Sequence, residues 1–146
     1  METHTLEEFR NKFKVEESLI LSAGSWSWSV RPWQPTLGSG IISLNRYALH
    51  LSEVTSEEMA EFSELVKTIE CAMKSLFDYS IMNYLMLMMV DHHVHYHIIP
   101  RYSSSRRFAG REWVDKGWAS FPVLSDNQHP EAIGLIKDSL IRNITN

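Results

Sequence analysis

A chain of 146 residues, 44% hydrophobic and 22% charged, with a net charge of −4, reads as one domain (1–146) able to bury a single core. The acidic balance excludes a non-specific nucleic-acid binder, which needs a basic footprint. A single cysteine, Cys71, excludes a disulfide framework or a Cys-rich zinc site within the chain. The start, METHTLEEFRNKF, is polar rather than an apolar signal segment, and the most apolar run, 84–90, is too short to span a bilayer. The expectation is a cytoplasmic protein without membrane contact.

In chain order, Thr5-Leu-Glu-Glu8 has the spacing of a capping box that opens a short helix through about Phe13. Residues 18–22 and 25–30 follow as strands. In the second, Trp26, Trp28 and Val30 alternate with three serines, the period of a half-buried strand. Residues 31–40, with Pro32, Pro35, Gly38 and Gly40, form a loop of tightly fixed backbone, and 41–45 a third strand. Thr55-Ser-Glu-Glu58 is a second capping box, and Met59, Phe62, Val66, Ile69, Met73 and Leu76 make the apolar stripe of a long helix. Cys71 falls on its apolar side. The run 81–90 is expected to be a strand buried on both faces. After Arg101 no period is evident, and Arg106, Arg107 and Arg111, interleaved with Phe108 and Trp113, form a local basic cluster. Pro130 opens a terminal helix to about Ile144. The pattern is α+β: a mainly antiparallel sheet packed by one long helix, with short terminal helices.

The chemistry concentrates in Asp91-His-His-Val-His-Tyr-His-Ile-Ile-Pro-Arg-Tyr102. Residues two apart share a face only on a strand, so His93, His95 and His97 line one side and Val94, Tyr96 and Ile98 face the core. Three readings fit that arrangement. It is an exposed strand rich in histidine, a metal site of two imidazoles completed by another ligand such as Asp91, or a nucleophilic centre for phosphoryl or nucleotidyl transfer. Spacing alone does not separate the last two.

The order of motifs adds a resemblance. His93-Val-His-Tyr-His-Ile-Ile99, preceded by the turn Arg31-Pro-Trp-Gln-Pro-Thr-Leu-Gly-Ser39 and by LSEVTSEE at the long helix start, is similar to the signature of the histidine triad superfamily over about residues 20–102. The resemblance implies a homodimer (core 18–102, with 103–146 a C-terminal extension) that acts on nucleotide conjugates. These are dinucleoside polyphosphates or nucleoside phosphoramidates, cleaved with no cofactor or metal. It implies His95 as the nucleophile toward the α-phosphorus, His97 beside the leaving-group oxygen, and His93 orienting the site. Ser29 stands where such proteins commonly hold the ribose. Asn83 lies near the position of a polar residue that precedes the triad, and Asp91 and Arg101 flank the phosphate. Met88-Met89-Val90 replaces the usual Gly-Gln-hydroxyl segment and Ser39 the usual histidine of the turn. The alternative is a nucleotide- or metal-binding protein of that fold with little turnover.

Overall fold

The computed structural model describes residues 2–146; Met1 lies outside the described residues. Thr5 caps helix α1 (Leu6–Lys12), its Oγ1 accepting from the Glu8 amide at 3.0 Å. The Glu8 carboxylate takes the His4 amide at 2.8 Å, so the reciprocal bond forms one residue earlier than a capping box requires. Five strands follow: β1 (Leu19–Ala23), β2 (Trp26–Val30), β3 (Gly40–Leu44), β4 (Ile81–Leu85) and β5 (His95–Arg101). They pair in the order β1-β2-β3-β5-β4, every neighbour antiparallel. The expected α+β class and antiparallel sheet are what the chain forms.

Helix α2 (Ser56–Phe77) starts on a closed capping box between Thr55 and Glu58. It packs with α3 (Ile133–Thr145), which follows a short 3-10 turn at Pro130–Ala132, on one face of the sheet. Trp26, Trp28, Ile42, Leu44, Val94 and Ile98 supply the sheet side of this core, and Leu65, Ile69, Met73, Ile136 and Leu140 the helix side. The α2 stripe is rotated from its sequence reading. Leu65, Ile69, Ala72, Met73 and Phe77 are buried, Met59 is exposed, and Cys71 faces outward rather than toward the apolar side. Two helices therefore share the layer that the periodicity assigns to one. Among the described residues no helix is long and apolar enough to cross a membrane.

Two further expectations need correction. Residues 81–90 are not a doubly buried strand. Strand β4 ends at Leu85 on the edge of the sheet, and Leu87, Met89 and Val90 are exposed in a loop that runs beside the histidines. An apolar run has no period to show whether it is core or the wall of a cavity. The aperiodic stretch after Arg101 contains a hairpin, β6 (Arg106–Phe108) with β7 (Arg111–Trp113). Its arginines are engaged locally. Arg106 donates to the Phe77 and Asp78 carbonyls at the end of α2 (3.2 and 2.7 Å), Arg107 bonds the Gly110 carbonyl, and Arg111 pairs with Glu131.

The segment beyond the hairpin is tied to the sheet by a buried ion pair. Arg101 meets Asp115 through Nε and Nη2 at 2.7 and 3.2 Å, and Asp115 also accepts the Tyr102 amide. Both side chains are almost fully enclosed. Asp115→Ala would strand the guanidinium and is expected to lower the unfolding free energy by about 3–5 kcal/mol. The double replacement Arg101→Met/Asp115→Leu is expected to recover most of that loss. Urea unfolding of wild type, both single variants and the double variant measures the coupling.

Candidate functional site

The register places His95 opposite Ser43 and His97 opposite Ile41, on the sheet face away from α2 and α3. That face is not open to solvent. Helix α1 lies across it: the Phe9 ring stands 4.9 Å from His93 and 4.8 Å from His95, and Phe13 stands 5.8 Å from His95 and 6.0 Å from His97. His93, His95 and His97 are exposed by 0%, 1% and 8%. A merely exposed histidine-rich strand is thereby excluded. Val94 and Ile98 are buried in the opposite core, and Tyr96 packs on Trp26 and Phe62, as their phase predicts.

Burial makes each ring nitrogen informative. His93 uses both: Nδ1 accepts the Ala48 amide at 3.3 Å and Nε2 donates to the Leu44 carbonyl at 2.8 Å. Its ring also stacks on Tyr47 at 5.4 Å. It is therefore fixed as a neutral structural residue. His95 donates from Nδ1 to the His93 carbonyl at 2.5 Å. This fixes the tautomer whose Nε2 carries a lone pair, on a residue that lines a cavity. His97, ring centroid 4.9 Å from that of His95, accepts at Nδ1 from Arg31 Nε at 3.2 Å, so its proton sits on Nε2.

The cavity, about 350 Å³, is lined by His95, His97, Arg31, Lys12, Asp91, Phe13, Trp33 and the loop residues 87–90. Arg31 is buried, bonds the Trp33 carbonyl through Nη1 at 3.0 Å, and has no carboxylate partner among the described residues. Burial lowers its pKa to about 10, still charged at neutral pH. The backbone that carries it is clamped. Gln34 donates to the Arg31 and Ser39 carbonyls, both at 2.7 Å, and accepts the Gly38 amide at 3.0 Å. Gly38 has φ +86°, and a Cβ there would stand 2.9 Å from Met73 and 3.0 Å from Phe77, so only glycine fits the turn. Arg31 and Trp33 are not singled out by the sequence reading. The signal was present: Ser27, Ser29 and Arg31 share one phase, and it is the phase of the histidine face.

Of the other sequence candidates, Asp91 reaches the cavity wall, but its charge is answered by Lys12 Nζ at 2.8 and 2.9 Å and by the Thr3 hydroxyl at 3.1 Å. Ser29 is fully buried on the histidine face, and its Oγ has no hydrogen-bond partner among the described residues. Asn83 lies outside this cavity, accepting from Arg101 at 2.9 Å and lining a separate depression with Leu85, Ser120, Phe121 and Pro122. Arg101 is held by Asp115 as described. The structure thus brings His95, His97 and Asp91 to one cavity and does not bring Asn83 or Arg101 there. Among the described residues no three His, Cys, Asp or Glu side chains are placed to hold one metal ion.

Burial holds all three imidazoles below the ordinary histidine range. His97, beside His95 and Arg31, is pushed down to about 3. The unfolded chain takes up these protons near 6.5 and the folded chain only at lower pH. The stability they contribute is therefore complete above about 6.5 and is lost as pH falls below it, down to about 3 for His97, at up to about 1.4 kcal/mol per pH unit for each group. Thermal unfolding between pH 7 and 4 is expected to show this fall, and His97→Asn to make it shallower by one group.

No family sequence model matches the chain, and no curated protein matches it. Solved structures do. A histidine triad protein of Sinorhizobium meliloti is 15% identical with a TM-score of 0.68, over 89% of this chain and 93% of that one. A hypothetical histidine triad nucleotide-binding protein of Sulfolobus tokodaii is 16% identical with a TM-score of 0.66, over 88% and 84%. The Plasmodium falciparum diadenosine triphosphate hydrolase, solved with cyclomarin A, is 15% identical with a TM-score of 0.65, over 89% and 78%. With the sheet order and the three alternating histidines already in view, these likenesses identify the architecture of this chain as the histidine triad fold.

Proposed function

We propose that the protein is a nucleotide hydrolase or transferase that attacks the α-phosphate of a nucleotide conjugate with His95. The observation that carries this reading is the His95 tautomer. The bond from Nδ1 to the His93 carbonyl leaves the Nε2 lone pair as the nucleophile, beside His97 and Arg31. In the first step Nε2 bonds to the α-phosphorus and the bond to the leaving group breaks, its electron pair departing with that group. In the second, water attacks the nucleotidyl-histidine, the P–N pair returns to Nε2, and the water's proton passes to solvent as the mononucleotide leaves. His97 Nε2–H donates toward the leaving atom, and Arg31 supplies positive charge. The step asks for no metal.

The cavity volume falls in the range of about 300–1,000 Å³ typical of small-ligand sites. Trp33 at its lip and the apolar loop 87–90 offer surface for a base. Two relatives in fold, named as a nucleotide-binding protein and a diadenosine triphosphate hydrolase, support the substrate class. A homodimer is the assembly we expect.

One observation favours a second reading, a nucleotide-binding protein with little turnover: α1 covers the histidine face and leaves His95 1% exposed.

Diadenosine triphosphate and adenosine phosphoramidate, incubated with the protein in excess chelator, separate the two. The hydrolase reading expects turnover that survives the chelator and falls by about 10⁴-fold or more in His95→Ala, with an acid-labile nucleotidyl adduct in wild type. Tight AMP binding without turnover of either compound would leave the binding reading. Because burial keeps His95 unprotonated below the ordinary imidazole range, kcat/KM should stay level as pH falls through 6.5. A drop centred there would contradict the assigned environment.

A further inference from the structure

We propose that Arg31 is a specificity-determining residue that confines the site to conjugates whose leaving group departs as a phosphate anion. The proposal rests on the reading of His95 as nucleophile and narrows it from nucleotide conjugates in general to phosphoanhydrides.

The first support is the charge balance of the cavity. Its other cation, Lys12, meets Asp91 at 2.8 Å, and the buried Arg101 meets Asp115 at 2.7 Å. Arg31 is buried too, yet its bonds go to a neutral imidazole and a backbone carbonyl, with Nη2 left over among the described residues. A buried guanidinium without a counter-charge is costly, and one lining a cavity is a ready partner for an anion. The loop residues 87–90, which also line the cavity, offer only apolar side chains. The anion must therefore lie on the Arg31 side.

The second support is what Arg31 does to His97. A permanent cation donates to His97 Nδ1 at 3.2 Å. Protonating that nitrogen would set an imidazolium N–H against a guanidinium N–H. His97 is consequently a neutral hydrogen-bond donor through Nε2 and cannot deliver a full proton. The two kinds of leaving group differ on this point. When His95 attacks a phosphoanhydride, the P–O bond breaks and the bridging oxygen keeps the pair as a stable phosphate oxyanion, with no proton needed. When it attacks a phosphoramidate, the P–N pair would leave on an amide anion unless an acid protonates the nitrogen. The site supplies charge for the first and no acid for the second.

The test compares diadenosine triphosphate with adenosine phosphoramidate in wild type, Arg31→Met and His95→Ala, with thermal melts to confirm folding. Wild type is expected to favour the anhydride by about 10²-fold or more in kcat/KM. Arg31→Met should lose about 10²-fold on the anhydride, as for removal of one charge-stabilising donor, and less than tenfold on the phosphoramidate, so the preference collapses. Equal use of both substrates by wild type, or an equal loss on both in Arg31→Met, would overturn the role of Arg31 and leave His95 untouched. Retained activity in His95→Ala would instead overturn the nucleophile. A binding measurement judges Arg31 even without turnover. Wild type should bind ADP at least about tenfold more tightly than AMP, because the second phosphate meets the guanidinium, and Arg31→Met should bind the two alike. No difference in wild type would sink the proposal.

Discussion

Three imidazoles buried side by side impose the constraint from which the site follows. On an open strand each ring would turn freely and exchange protons with water. Under Phe9 and Phe13 each nitrogen must find a fixed partner or face the cavity. His93 spends both nitrogens on backbone, His95 spends Nδ1 on the carbonyl of His93, and His97 spends Nδ1 on Arg31. The two remaining Nε2 atoms belong to the two rings that line the cavity, one a lone pair and one a donor. Helix α1 therefore defines protonation as much as it covers surface. It is held there by the Thr3 and Lys12 contacts to Asp91, the residue immediately before the histidine run.

The opposite face of the sheet contributes through a chain of rigid contacts. Met73 and Phe77 of α2 close on Gly38, leaving no room for a side chain in the turn. The Tyr102 hydroxyl bonds the Leu37 carbonyl at 2.6 Å, and Gln34 stitches the turn to itself. Arg31 emerges from this braced segment, its amide bonded to the Ser39 carbonyl at 2.9 Å. Its guanidinium then sets the His97 tautomer. Packing in the helical core is thus transmitted to a proton position on the other side of the sheet, through backbone that has little freedom to relax.

What the sequence makes legible is what depends on local period and local capping. The alternation in VHYHI assigns faces because strand geometry is short-ranged, and TSEE marks the start of α2 because its hydrogen bonds span three residues. What it conceals depends on long-range placement. Nothing in LEEFRNKF says that Phe9 and Phe13 will lie on histidines about 80 residues away, since an amphipathic stripe shows that a face is buried and not against what. The partnership of Arg31 with His97, 66 positions apart, is hidden for the same reason. The run at 81–90 misleads differently. Apolar residues lining a cavity obey the same composition as those in a core, so Leu87, Met89 and Val90 read as strand interior although they are exposed. Asp91 appears in the sequence as an unwanted negative charge beside a phosphate, because its lysine lies 79 residues upstream.

With Lys12 set against Asp91, the charged side chains of the cavity reduce to one uncompensated cation, on a chain whose formal net charge is −4. The global charge does not decide affinity for an anion here. Exposed charges farther away than about 8–10 Å are screened at ordinary ionic strength, whereas a guanidinium buried beside His97 is screened much less. The cover that α1 provides then has two consequences of opposite sign. It excludes water, which in the reaction we propose would strengthen the pull of Arg31 and of the His97 N–H on a departing oxyanion. It also narrows the approach to His95, so the same two phenylalanines that sharpen the electrostatics limit access. A site built this way favours a ligand that brings its own negative charge to the buried cation and offsets the cost of burying that cation alone. In the proposed reaction a neutral leaving group would forgo that gain and meet the same barrier at the entrance.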